Sequence, residues 1–125
     1  MTPLDHRLTA ILPCNDLDAS EAFYNRLGFT RPDRPPPGEE DTYRILADGQ
    51  GGHLHLTDAV EDWLVPGRNP FGLYLYVEDV DAMAARFPGE VVGKRGPEDK
   101  PWGMYEFALF DPDETLVRIG WPRRR

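Results

Sequence analysis

The chain has 125 residues, 40% of them hydrophobic and 29% charged, with a net charge of −8. This balance suits one folded domain or two small modules sharing a core. The acidic excess argues against nucleic acid, whose binding rests on clustered Lys and Arg neutralising phosphates; it favours a neutral or cationic partner. No apolar run approaches the roughly 20 residues of a membrane helix, so no membrane partner is expected.

From the N-terminus, residues 1–16 lack a basic-then-apolar leader pattern, and the lone Cys14 cannot close an intramolecular disulfide; both point to a cytoplasmic protein. His6 reads as a surface residue. The apolar run Leu8–Pro13 reads as a strand. It leads into Asn15-Asp16-Leu17-Asp18-Ala19, which opens a helical pattern. Asp16 or Asp18 can accept the free N–H groups of a first turn, and Ala19, Ala22, Phe23 and Leu27 recur on one face. Gly28 ends the pattern, and Phe29 reads as core. Arg34–Glu40 is a Pro-rich surface loop preceding a short edge strand. Tyr43–Ala47 and His53–Thr57 flank the Gly-rich Asp48–Gly52 and read as a hairpin.

After a linker near Val65–Pro70 the order begins again. Phe71–Val77 is strand-like, and Glu78-Asp79-Val80-Asp81-Ala82 repeats the first motif at an offset of 79 − 16 = 63. Val80, Met83, Ala84 and Phe87 share a helical face, which Pro88-Gly89 ends. Tyr105–Phe110 and Thr115–Trp121 form a second hairpin around Asp111–Glu114, again offset by 111 − 48 = 63. The expected fold is therefore α+β: one domain of two βαβββ modules, about 1–64 and 70–122, closing into a cupped mixed sheet. Trp121 falls on the aliphatic side and reads as core. Arg123–Arg125 reads as a frayed tail.

The strands alternate. Leu73, Leu75 and Val77 interleave with Gly72, Tyr74 and Tyr76. Leu54 and Leu56 interleave with His53, His55 and Thr57, and Val117 and Ile119 with Leu116, Arg118 and Gly120. The aliphatic side should lie under the helices. The side bearing His, Tyr, Thr and Arg reads as the lining of a cavity.

Two such halves resemble the glyoxalase/bleomycin resistance/dioxygenase (vicinal oxygen chelate) superfamily. The resemblance is carried by LPCNDLDASEAFYNRLGF (12–29), GLYLYVEDVDAM (72–83) and FALFDPDETLVRIG (107–120). It implies a metal ligand seven residues before the Asp of each Asp-x-Asp motif and another near the end of each half. Those positions hold Thr9 and Gly72, then His55 and Arg118 (118 − 63 = 55). Glycine has no side chain and arginine is permanently cationic, so this set cannot hold a catalytic divalent ion. His53 and His55 alone would make a weak pair. No metal, no cofactor and no catalysis are expected.

Loss of the ligands directs the resemblance to the bleomycin resistance branch, which sequesters its drug between two subunits. TDAVEDWLVPGRN (57–69) and KPWGMYEFALFDP (100–112) are similar to that branch, although Asp113-Glu114-Thr115 replaces its usual Gly-Asn. The resemblance implies a homodimer binding a planar, cationic, bleomycin-type antibiotic. Trp102 and Trp63 would offer ring faces, and Tyr74 and Tyr76 would floor the groove. His55, Thr57, Glu61 and Arg118 would complete the contacts. Glu39, Glu40, Asp41, Asp62, Glu98 and Asp99 would supply negative charge from loops, and Arg118 can pair internally with Glu106. Alternative readings are a metal-dependent lyase, isomerase or thiol transferase using His53, His55 and an acid such as Glu106, and a protein-interaction module.

Overall fold

A computed structural model describes residues His6–Arg123, which fall in two compact units that divide between Val60 and Glu61. Arg124 and Arg125 lie outside the described residues.

The first unit runs β1 (Ala10–Cys14), α1 (Leu17–Arg26), β2 (Tyr43–Ala47) and β3 (His53–Asp58). Its sheet order is β1-β3-β2, with β1 parallel and β2 antiparallel to β3. Pro13 lies in β1, an edge strand, where a missing N–H is tolerated. The Pro-rich loop leads into β2, the other edge. Leu54 and Leu56 are buried on one side, as their alternation predicts, and Leu46 of β2, opposite Leu54, is buried with them. Each contributes about 1.5–3 kcal/mol when taken out of water.

Of the two candidate caps, Asp16 is the one used: its Oδ1 accepts the Ala19 N–H at 3.1 Å. The helix ends in a Schellman turn. The Phe29 N–H donates to the Tyr24 carbonyl and the Gly28 N–H to that of Asn25, both at 3.0 Å. Gly28 takes φ +102°, which glycine enters without a Cβ clash, and Phe29 is buried as expected.

The inward face of α1 differs from the expected one. Leu17, Ser20, Glu21, Phe23, Tyr24 and Leu27 are buried, while Ala19 is half-buried and Ala22 faces solvent. Burying the Tyr24 ring covers far more apolar area than two alanine methyls. Glu21 turns inward with it because it finds cations there. Its Oε2 accepts from Arg31 Nε and its Oε1 from Arg44 Nη1, each at 2.8 Å.

Asp41, expected to supply negative charge from a loop, is part of this network. It holds Arg31 at 2.6 Å and Arg44 at 3.3 Å. Burial alone would lower the Arg44 pKa. The hydrogen bond to Asp18 and the charges of Asp41 and Glu21 outweigh it, so the guanidinium stays above its ordinary value.

The second unit runs β4 (Gly72–Tyr76), α2 (Val80–Ala84), a 3-10 turn (Val92–Lys94), β5 (Glu98–Asp99), β6 (Met104–Phe110) and β7 (Leu116–Pro122). Its sheet order is β4-β7-β6-β5. Helix α1 packs on β3, and α2 on β6 and β7. Val80 and Phe87 are buried, with Met83 and Ala84 half-buried, as the spacing predicts.

The first unit has three strands rather than the four of an expected βαβββ module, with only an isolated bridge between Thr30 and Ala47 besides, but elsewhere the repeat holds down to single hydrogen bonds. Asp79 caps α2 through the Ala82 N–H at 3.0 Å, 63 residues (79 − 16) after Asp16 and Ala19. Asp48 Oδ1 accepts the N–H groups of Gln50 and Gly52, both at 2.8 Å. Asp111 Oδ1 accepts those of Asp113 and Thr115, at 2.8 and 2.9 Å. Ala10 pairs with Leu54 and, 63 later (73 − 10), Leu73 with Val117. The unusual Glu114 occupies the left-handed position of Gly51, with φ 66° against 98°. Its carboxylate accepts the Gly67 N–H at 2.5 Å, which helps hold the strained backbone.

Three expectations need correction. Glu98 and Asp99 do not sit in a loop but form β5, because Glu98 and Asp99 pair with Glu106 and Tyr105 across the ladder. Trp121 is half-buried rather than core, since it stands near the end of β7 with its ring edge-on to Tyr76 at 6.4 Å. Arg123 is not frayed: its N–H donates to the Gly103 carbonyl at 2.9 Å, extending the β6–β7 pairing.

Candidate ligand-binding site

The polar face of the second unit is organised by Glu106, in the middle of β6 and 3% exposed. A carboxylate so placed needs donors, because each unpaired buried acceptor costs about 1–3 kcal/mol or more. Two are supplied to the same oxygen: Glu106 Oε1 accepts from Tyr74 Oη at 3.0 Å and from Trp102 Nε1 at 2.8 Å. Arg118, beside Tyr74 and opposite Ala108 in the ladder, places Nη1 3.9 Å from Glu106 Oε2. Its guanidinium carbon lies 5.7 Å from the centre of the Trp102 ring.

Backbone chemistry fixes these positions. The turn carrying Trp102 is closed by the Gly103 N–H to the Lys100 carbonyl at 3.0 Å, and by the Lys100 N–H to the Met104 carbonyl at 2.7 Å. Gly103 has φ +88°, suiting a residue without a Cβ. Gly120, opposite Glu106, leaves the gap through which the Tyr74 hydroxyl reaches it: a Cβ there would lie under 3.0 Å from Tyr74 Oη, Glu106 Cβ and the Tyr105 carbonyl. Burial and the bond to Glu106 push the Tyr74 hydroxyl well above its ordinary pKa, so it stays a neutral donor. The resulting cavity of about 210 Å³ is lined by Lys100, Trp102, Glu106, Leu116 and Arg118, with Val92 at its side.

The structure thus brings together Trp102, Tyr74 and Arg118 among the residues expected from sequence. Tyr76 stacks at a tilt on Tyr74, 4.9 Å between centroids, and is 60% exposed. Trp63, 70% exposed, and Glu61 occupy the turn after Val60 and do not line this cavity. In the first unit, His55 and Thr57 lie on the β3 face bearing Tyr43 and Ile45. His55 Nδ1 is 2.7 Å from Tyr43 Oη. Among the described residues no group of three His, Cys, Asp or Glu side chains is placed to hold a metal ion, and no helix is long and apolar enough to cross a membrane. Lys100, Val92 and the Tyr43 partner of His55 were not expected from sequence. Tyr43 had a usable signal, since a hairpin about Asp48–Gly52 sets it on the His55 face.

A second groove of about 310 Å³ lies along Glu78, Asp79, Asp81 and Asp99, with Tyr105 and Trp121 as walls. Tyr105 Oη donates to Asp81 Oδ1 at 2.5 Å, and this bond, with burial and the Asp81 charge behind it, pushes its pKa up to about 12 from 10.0. The raised folded-state value means that this bond's stabilisation is complete below pH 10 and is lost between pH 10 and 12. The stability gap between wild type and Tyr105→Phe should therefore be flat below pH 10 and close above it, as urea denaturation at stepped pH will show.

The chain is thus a βα-repeat with two mixed sheets, the second bordered by a turn that holds an exposed tryptophan. Residues 4–119 match the Glyoxalase model, described as the Glyoxalase/Bleomycin resistance protein/Dioxygenase superfamily. The chain belongs to that superfamily. It is similar to the crystal structure of a bleomycin-binding protein complexed with bleomycin, at 26% identity and TM-score 0.71, covering 96% of this chain and 100% of that one. It is also similar to a bleomycin resistance determinant encoded on the transposon Tn5, at 26% identity and TM-score 0.73 with the same coverage. A lactoylglutathione lyase from Agrobacterium tumefaciens is similar as well, at 26% identity and TM-score 0.64, covering 96% of each chain. A comparison with proteins of curated function gave no match.

Proposed function

We propose that this chain is a non-catalytic, homodimeric cytoplasmic protein that sequesters a flat aromatic antibiotic of the bleomycin type. The observation that carries this reading is the Trp102 indole, which is 57% exposed yet pinned by its N–H to a carboxylate 3% exposed. A flat ligand meeting such a surface orders little on binding, so more of the contact energy appears as affinity. Stacking adds about 0.5–1.5 kcal/mol beyond the area buried. The likeness to a protein that binds bleomycin supports the ligand class. The net charge of −8 and the acidic groove beside Tyr105 favour approach of a cationic drug.

Trp102, Tyr74 and Arg118 form the proposed centre in the second unit, with Tyr76 beside Tyr74 as a further contact; Trp63 and Glu61, outside this cavity, and His55 and Thr57 of the first unit are each proposed as ligand contacts in their own right. Titrating tryptophan fluorescence with metal-free bleomycin should give a saturable change. Trp102→Ala should weaken binding by about thirtyfold, the effect of removing a central aromatic anchor. Sedimentation equilibrium should report a dimer. Absence of any fluorescence change at high micromolar drug would remove bleomycin as the ligand, and undiminished binding by the variant would remove the site.

A further inference from the structure

The charges inside the second unit's cavity run against those of the chain as a whole. Its lining carries two cations, Lys100 and Arg118, and one carboxylate, Glu106. Glu106 has little left to offer a ligand. It is 3% exposed, its Oε1 already takes hydrogen bonds from Tyr74 and Trp102, and its Oε2 faces Arg118.

Arg118 is in the opposite condition. Its side chain is 45% exposed, and its ion pair with Glu106 spans 3.9 Å, longer than a hydrogen bond. A guanidinium has five N–H donors in a planar fork, and here the fork lies beside an exposed indole. The second cation is also only loosely engaged: Lys100 Nζ stands 3.5 Å from Glu98 Oε2, with its side chain 31% exposed.

On the reading that this cavity is a ligand site, we propose that it recognises an anionic acceptor group, such as a carboxylate, borne on a flat ring. Arg118 holds the anion through charge-assisted hydrogen bonds while the ring lies against Trp102. Lys100 adds a second, longer-range attraction. A ligand ammonium at the same point would face Arg118 with like charge, and the one Glu106 oxygen without a hydrogen bond, Oε2, already serves as counter-charge to Arg118. Any cationic portion of the ligand must therefore lie outside the cavity.

Three matched probes separate the terms: 2-naphthoate, 2-naphthamide and naphthalen-2-ylmethylamine. Each is titrated into 15N-labelled protein while the Trp102 indole N–H resonance is followed. The naphthoate should bind about tenfold tighter than the amide, as expected when a charge-assisted hydrogen bond replaces a neutral one, and the amine weakest of all. Arg118→Gln should shrink the naphthoate preference to less than about twofold while amide binding persists, and Arg118→Lys should restore part of it. Lys100→Gln, at a partly exposed position, should reduce the preference by a smaller factor without touching the Glu106 network.

An amine binding as tightly as the naphthoate, or a preference undiminished in Arg118→Gln, overturns the proposal. If bleomycin binds but the naphthoate shows no preference, the anion inference falls and the sequestration reading stands. If neither bleomycin nor any naphthalene moves the Trp102 resonance, both fall.

Discussion

Replacing Glu21 with alanine is expected to cost about 3–5 kcal/mol of stability, the usual result of removing one partner from a buried ion pair. Glu21 is 6% exposed at its side chain and bridges Arg31 at 4% and Arg44 at 8%. Without it, both guanidiniums would be left inside the protein with only Asp41 and, for Arg44, Asp18. The same network ties α1 to β2 and to the loop after the helix, so its loss should loosen residues 31–42 first. Asp18, 90% exposed, also pairs with Arg44, but solvent screens that contact, and Asp18→Ala should cost less than about 1 kcal/mol. Urea denaturation of both variants checks the contrast. A Glu21→Ala loss below about 1 kcal/mol would mean that the arginines find water or Asp41 well enough alone.

This network also shows where sequence reading stops. The repeat was legible because it is written in local chemistry: an Asp-x-Asp motif that opens a helix, turn residues between strands, and apolar residues at period two. Those rules led to both hairpins and left each cap open between two aspartates, of which Asp16 and Asp79 are the ones used; that Asp48 and Asp111 close the turns through their side chains was not legible. The inward face of α1 was misread because helical spacing counts alanines as apolar and glutamate as polar. Whether Glu21 turns inward depends on arginines 10 and 23 residues further on, which no local pattern reveals. Trp121 was misread for a similar reason: its parity on β7 is that of the core, but it stands near the strand end, where little protein covers it.

The candidate site was legible in its parts and not in its arrangement. Trp102 stood out through the resemblance carried by residues 100–112, Tyr74 and Arg118 by their parity, and Glu106 as a possible partner of Arg118. What the sequence did not disclose is that one oxygen of Glu106 receives both the tyrosine and the tryptophan. That convergence depends on strand register, with Tyr74 beside Arg118 and Glu106 opposite Gly120. A one-residue slip would send the same side chains to opposite faces.

Gly120 is where this register is most exposed to challenge. Gly120→Ala is expected to cost about 1–3 kcal/mol through overpacking and to weaken ligand binding with it. The added methyl would lie under 3.0 Å from Tyr74 Oη, from Glu106 Cβ and from the Tyr105 carbonyl. The tyrosine can swing aside, but only by giving up its bond to Glu106. The other two atoms belong to the paired strand and can move only if β6 and β7 separate locally. Both routes disturb the carboxylate that pins Trp102. Tyr74→Phe removes the hydroxyl and one of the three collisions, so the double variant should be less destabilised than the two single losses added together, by about 0.5 kcal/mol or more. Thermal denaturation of the four proteins gives that coupling, and the Trp102 indole N–H shift reports whether the anchor has moved. If Gly120→Ala is as stable as wild type, or if its cost is unchanged without the tyrosine hydroxyl, then Tyr74 does not reach Glu106 across the glycine and the site has a different floor.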